Sequence, residues 1–273
     1  MTAQRPLDGR AAIVTGASRG IGRSIADELA GAGAHVCVTA RDAHDVGEAV
    51  AALRARGADA IGVPGDVADP AHLWEVTDRA MTAYGRVDIV VNNAATNQPY
   101  GPLMDADPDA WRTAFAVNVE APLRLVQCAW RAWMSEHGGA VVNVCTEGAT
   151  HVGPNIGAYN TSKAALLHLT AQLAGELGPL VRVNSVSPGL VRTEMARFVW
   201  ERAEETVAAG LPTGRIGEPV DVARAVRWLV SDDAEWITGT DLLVDGGTRV
   251  RAASPTGDAQ AVQRQLRYHF PGA

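Results

Sequence analysis

The chain has 273 residues, a formal net charge of −7, 47% hydrophobic residues and 20% charged ones. That is enough apolar material for a sizeable core, and it excludes a disordered or fibrous chain. No basic block invites nucleic acid or an anionic membrane, no apolar run approaches the ~18 residues of a membrane span, and residues 1–6 lack the apolar segment of a secretory signal. Cys37, Cys128 and Cys145 are too scattered for a metal site, and no metal is expected; a reduced, cytoplasmic protein is the simplest reading.

The first apolar run, Ala11–Thr15, leads into Thr15-Gly16-Ala17-Ser18-Arg19-Gly20-Ile21-Gly22, after which Ile21, Ile25 and Leu29 recur at helical spacing. Further runs follow at His35–Ala40, 60–63, 87–91, 140–145, 181–186 and Asp241–Val244. Most are continuous and not alternating, as in parallel strands buried on both faces, and stretches of helical period separate them. The pattern predicts a single-domain α/β fold: a doubly wound sheet of about seven parallel strands with right-handed crossovers. It extends through residue 250; residues 251–273 are read as a separate tail, with Val262, Leu266 and Phe270 on one helical stripe, frayed or docked on a neighbouring subunit.

The glycine-rich turn lies between a first strand and an amphipathic helix. There it lets the backbone approach a pyrophosphate that sits at the helix N-terminus. At the end of the second run, Ala40 and Arg41 stand where an NAD site usually places a carboxylate. Without that carboxylate a 2′-phosphate is not repelled, and Arg41, with Arg19, can grip it. The reading is NADP(H), with NAD(H) the lesser alternative; Asp42 is the residue that could still turn to a ribose.

Two long-range features suggest the chemistry. Residues 111–134 read as one helical stretch, yet Asn118 is a poor interior residue and Pro122 cannot donate to its carbonyl. A kink with a free carbonyl at 118 is predicted. Tyr159 and Lys163 lie at i and i+4 on one helix face, where an ammonium lowers the phenol's pKa and the pair can exchange a proton with a carbonyl or alcohol oxygen. Lys163 is also the only lysine among 24 basic residues. A compact ammonium with three donors fits where a planar guanidinium would not.

With its Thr-Gly-x-x-x-Gly-x-Gly loop, Asn92-Asn93-Ala94-Ala95, Tyr159-x-x-x-Lys163 and Pro188-Gly189 segment in this order, the chain resembles the short-chain dehydrogenase/reductase family over residues 6–250. The resemblance implies a Rossmann fold and an oxidoreductase of the 3-oxoacyl-carrier-protein reductase or carbonyl reductase kind. It implies a cofactor site formed by Gly16, Ser18, Arg19, Gly20, Ile21, Gly22, Ala40, Arg41, Asp66, Val67, Asn93, Ala94, Tyr159, Lys163, Pro188, Gly189, Val191 and Thr193, with Asp66 at the adenine. The implied catalytic set is Asn118, Tyr159, Lys163 and the serine that relatives carry before the tyrosine. Thr146 stands at that serine's position, and its hydroxyl is assigned the same role, with one more methyl to crowd the substrate. Asn118 would hold, through its main-chain carbonyl, a water linking Lys163 to solvent.

Residues 194–213 would form the substrate lid, with Met195, Phe198, Val199, Trp200 and Leu211 on its apolar side. Gln98, Tyr100, Glu147, His151, Asn155 and Trp200 are candidates to line a pocket for a small ketone or alcohol. A homotetramer is implied as well. The activity expected is NADPH-dependent ketone reduction; the alternatives are an NAD-dependent alcohol dehydrogenase and a catalytically silent cofactor-sensing or scaffold protein.

Overall fold

The computed structural model describes residues 5–250, so the tail at 251–273 lies outside the described residues. Seven parallel strands form one sheet in the order β3-β2-β1-β4-β5-β6-β7. They are β1 (Ala11–Thr15), β2 (His35–Ala40), β3 (Ala60–Pro64), β4 (Ile89–Asn92), β5 (Gly139–Val144), β6 (Val181–Pro188) and β7 (Asp241–Val244). The ends differ from the apolar runs by a residue or two. β3, β4 and β6 continue into Pro64, Asn92 and Pro188, because backbone pairing does not stop where hydrophobicity does.

The helices are α1 (Gly20–Gly31), α2 (Ala43–Ala55), α3 (Pro70–Tyr84), α4 (Pro108–Phe115), α5 (Ala121–Ala129), α6 (Ser135–His137), α7 (Gly157–Leu177), α8 (Arg197–Ala209) and α9 (Pro219–Val230). Side chains alternate across the sheet. Ala12 and Val14 of β1 join α1 and α9 through Ile25, Leu29, Val226 and Leu229 on one face. Ile13 joins α3, α5 and α7 through Val76, Leu125 and Leu173 on the other. Truncating a fully buried leucine such as Leu29 to alanine would cost about 2–5 kcal/mol.

The strand order reverses between β1 and β4. Their crossovers leave in opposite directions there, which opens a crevice beyond the carboxyl ends of the strands. Register brings Thr15 beside Thr39, Asn92 beside Asn143 and Asn143 beside Ser185 along that rim.

Candidate active site

The glycine-rich turn is braced from below. Thr15 Oγ1 accepts from the Asn93 and Ala94 amides, both at 3.0 Å, and Asn93 Nδ2 donates to the carbonyls of Thr15 and Gly16 at 2.9 and 3.1 Å. Gly16 has φ +61, a left-handed conformation that side-chain-bearing residues rarely adopt. A Cβ on Gly22 would overlap Asn93 Nδ2 and the Gly16 carbonyl, so glycine is the only residue that fits. Arg19 occupies the N-cap of α1 with no side-chain cap, and the first turn holds no acidic residue. The amides of that turn lack a side-chain acceptor and suit an anionic ligand. Ser18 and Gly20 line the same turn, and the partly buried Ile21 packs on the core behind it. The cradle therefore fits the pyrophosphate of a dinucleotide.

At the end of β2, Ala40 is half-buried and Arg41 exposed. Asp42 does not turn to the crevice; its Oδ1 accepts from the Asp45 amide at 3.0 Å and caps α2, and this hydrogen bond holds its carboxyl below its ordinary pKa. Asp66, after β3, is exposed and accepts from the Ala68 amide at 2.9 Å, while the adjoining Val67 is buried.

The helical stretch around Asn118 continues through residue 118, and the expected disturbance takes the form of a π-helical turn. Ala116–Glu120 forms a π-helical turn in which the Ala121 amide donates to the Ala116 carbonyl. Pro122 removes the i+4 donor, and the helix absorbs that loss by widening one turn. Asn118 is fully buried, and its side chain ties three segments together. Its Oδ1 accepts from the Thr96 amide, and Nδ2 donates to the Thr96 carbonyl and to Ser162 Oγ, each at 2.9 Å. Ser162 Oγ in turn donates to the Tyr159 carbonyl at 2.7 Å.

Tyr159 and Lys163 stand one turn apart on α7, with the ammonium 5.9 Å from the phenol ring centroid. Lys163 is 1% exposed, and its Nζ donates to the Val144 carbonyl at the end of β5 at 2.6 Å. The expected mutual pKa adjustment takes a different form. Burial raises the Tyr159 phenol above its ordinary value, opposed by a hydrogen bond with Thr146, and burial lowers the Lys163 ammonium. Tyr159 is thus held as a protonated donor. Thr146 begins the short turn Glu147–Thr150, its Oγ1 accepting from the Gly148 amide at 3.4 Å. Cys145, beside it, is buried, and burial pushes its thiol up to about 12, so it offers no thiolate near neutral pH.

The segment after β6 folds back over the glycine turn. A Cβ on Gly20 would meet the Thr193 methyl at 3.5 Å, and one on Gly189 would meet the Asp245 backbone. Val191 is buried and pairs with Gly217, and Thr193 Oγ1 donates to the Val191 carbonyl at 3.4 Å. Gln98, Tyr100, His151 and Asn155 are exposed, while Glu147 and Trp200 are half-buried. Two loops meet where the Gly101 amide donates to the Asn155 carbonyl at 2.8 Å, and Tyr100 reaches Phe198 of α8 edge-to-face at 5.6 Å. Glu147 pairs with His151 at 3.1 Å. Trp200 Nε1 donates to the Thr193 carbonyl at 2.9 Å, so its polar edge is already engaged. Of the apolar residues expected to face a lid, Leu211 is buried, whereas Met195 and Phe198 are 45% and 44% exposed.

Sequence reasoning passed over the polar chain beneath the site. Asn92 Nδ2 donates to Asn143 Oδ1, and Asn143 Nδ2 to Thr170 Oγ1, both at 2.8 Å and all buried. A visible signal was asparagine at the end of one apolar run, Asn92, and within another, Asn143. Ser162 and Arg192 carried none.

The chain is similar to known proteins over most of its length. A family model described as enoyl-(acyl carrier protein) reductase matches residues 16–249. Dehydrogenase/reductase SDR family member 4 of Homo sapiens is 38% identical over 254 residues, covering 92% of this chain and 91% of the relative. Among solved structures, a 7α-hydroxysteroid dehydrogenase complexed with NADH and 7-oxo glycochenodeoxycholic acid superposes with TM-score 0.85 at 32% identity, over 89% of this chain and 96% of its own. A blue fluorescent protein from a metagenomic library, in complex with NADPH, gives TM-score 0.82 at 35% identity, over 89% and 98%.

Proposed function

The chain belongs to the short-chain dehydrogenase/reductase family, and from that premise we propose that it is an NADP(H)-dependent oxidoreductase interconverting a small-molecule ketone and its secondary alcohol, working as a ketoreductase. The observation that carries this reading is the Tyr159 phenol beside the Thr146 hydroxyl, one helical turn from a buried Lys163. The bound cofactor supplies the hydride. Gly16, Ser18, Gly20, Gly22, Asn93 and Ala94 shape the pyrophosphate cradle, and Pro188, Gly189, Val191 and Thr193 form the wall for the nicotinamide.

Tyr159 gives its proton to the developing alkoxide, and burial keeps that proton in place until it is needed. The Thr146 hydroxyl holds the same oxygen. Lys163 Nζ, with one hydrogen on the Val144 carbonyl, keeps two donors for the ribose and the phenol side. Asn118 anchors the relay: its side-chain bonds fix the π-helical turn, and Pro122 leaves the 118 carbonyl without its usual donor.

The choice of NADP(H) rests on Arg19 in the glycine turn, on the exposed Arg41 after β2, where Ala40 stands in place of a carboxylate, and on Asp42, whose carboxylate is engaged in capping α2. The NADH-bound neighbour keeps an NAD-dependent alcohol dehydrogenase as the second reading. The assembly is read as a cytoplasmic homotetramer, supported by the edge strand β7 and the exposed Leu243 and Trp228 beside it; the described residues include no helix long and apolar enough to cross a membrane.

The test is a panel of ketones, cyclic ones first, with oxidation of NADPH or NADH as readout. Ketone-dependent consumption of NADPH in preference to NADH is expected. No consumption of either, with cofactor still bound, would favour the silent cofactor-sensing protein.

A further inference from the structure

Helix α8 is the least embedded helix of its length in the described chain: none of its residues is buried. A cleft of about 670 Å³ lies between its Trp200–Ala208 side and Gly214–Arg215. Its apolar residues are at most half-buried, so packing alone holds it weakly. Apart from the Tyr100–Phe198 ring contact, its side-chain ties to the rest of the described chain run to three consecutive residues, Arg192, Thr193 and Glu194, the last paired with Arg197 at 2.7 Å.

Arg192 makes three hydrogen bonds, one from each guanidinium nitrogen. Nη1 and Nη2 form a two-pronged bond with the Glu204 carboxylate of α8, Nη1 at 2.7 Å. Nε donates to Glu218 at the N-cap of α9 at 2.9 Å. The guanidinium carbon lies 5.4 Å from the centroid of the Trp200 ring, whose Nε1 donates to the Thr193 carbonyl. Its edges thus hold two carboxylates, and its cationic face holds an aromatic ring. Lysine carries the charge but cannot fill both roles, because an ammonium has no planar fork. Its neighbours Val191 and Thr193 belong to the wall proposed for the nicotinamide, and Thr193 closes over Gly20.

We propose that Arg192 is a positioning residue that latches lid helix α8 to the nicotinamide wall, through Glu204 and Trp200, and so couples cofactor occupancy to the substrate pocket. The coupling half of this rests on the function proposed above; the latch half does not. The Arg192 and Glu204 side chains are 38% and 34% exposed, so the latch is an ion pair that solvent and salt can loosen. A device of this kind releases the lid without unfolding the domain.

The test uses the full chain and two variants on opposite sides of the latch, Arg192→Lys and Glu204→Gln. Chymotrypsin cleavage after Phe198 or Trp200 in the cofactor-free protein should speed up about tenfold in either variant, and no further in the double variant, since both remove one interaction. NADPH should protect the wild type from this cleavage and protect the variants much less. With a ketone identified by the panel, KM should rise roughly tenfold while kcat stays within about threefold, the pattern of lost positioning and not of lost chemistry. Unchanged cleavage in both variants would overturn the latch. Faster cleavage with equal NADPH protection and unchanged KM would overturn the coupling. A wild type that binds no cofactor would defeat the proposed function instead, and the cleavage of the cofactor-free protein would still decide the latch.

Discussion

The two sides of the sheet solve different problems. Around β1, α1 and β2 the site is made of backbone: positive-φ glycine, uncapped amides and close approach, over a core of alanine, valine, isoleucine and leucine. Around β4, β5 and α7 it is made of side chains. Asn92, Asn118, Asn143, Ser162, Lys163 and Thr170 are all buried there; hydrogen bonds join Asn92, Asn143 and Thr170 in one set and Asn118 and Ser162 in another, and Lys163 donates to the Val144 carbonyl. Backbone sites are specified by what is absent, since no Cβ is allowed. Side-chain networks are specified by partners, and each member is costly to leave alone. The first side should therefore fail through shape and the second through chemistry.

The largest expected effect lies on the side-chain half. Lys163→Arg should lower kcat/KM by roughly 10²–10⁴-fold in a ketone-reduction assay, because the guanidinium carries the charge without the compact shape. An active arginine variant would show that charge alone suffices there. Gly22→Ala comes next and should break the contrast from the other side. Its methyl meets the Gly16 carbonyl and Asn93, and the backbone shift costs about 1–3 kcal/mol, read as a lowered Tm together with weakened NADPH binding. Arg41→Ala should weaken NADPH by about 10–100-fold and leave NADH almost unchanged, as expected for one charge-assisted contact to a phosphate. Equal effects on both cofactors in a fluorescence titration would remove the argument for NADP(H). Thr146→Ser is the smallest, within roughly fivefold in kcat, since the hydroxyl is retained and only the rotamer restriction is lost.

These two halves were not equally legible. The glycine turn, the strand that precedes it and the Tyr159–Lys163 pair are local patterns, so their spacing already carried their geometry. Asn118 was half legible. Pro122 four residues on pointed to a disturbed helix, but the form of the disturbance, a π-helical turn tied to Thr96 and Ser162, depends on what packs around it. The Asn92–Asn143–Thr170 chain joins residues 51 and 27 positions apart, and Arg192 reaches Glu204 and Glu218 across 12 and 26. Such pairs exist only once the strand order is known. The phenol's acidity was likewise a tertiary matter: helix spacing shows the ammonium, but not the burial that raises Tyr159 and lowers Lys163.

The most direct measurement is the Tyr159→Phe variant, assayed for turnover and cofactor binding together across pH. In the wild type burial raises the phenol pKa and keeps the proton through the neutral range, so reduction should stay level there, while alcohol oxidation, which needs the phenolate, rises with pH. Tyr159→Phe should lose roughly 10²–10⁴-fold in kcat for both directions and keep the wild-type Kd for NADPH. Near-normal turnover in that variant would contradict the assignment of Tyr159 as the proton donor and, with it, the account of the site.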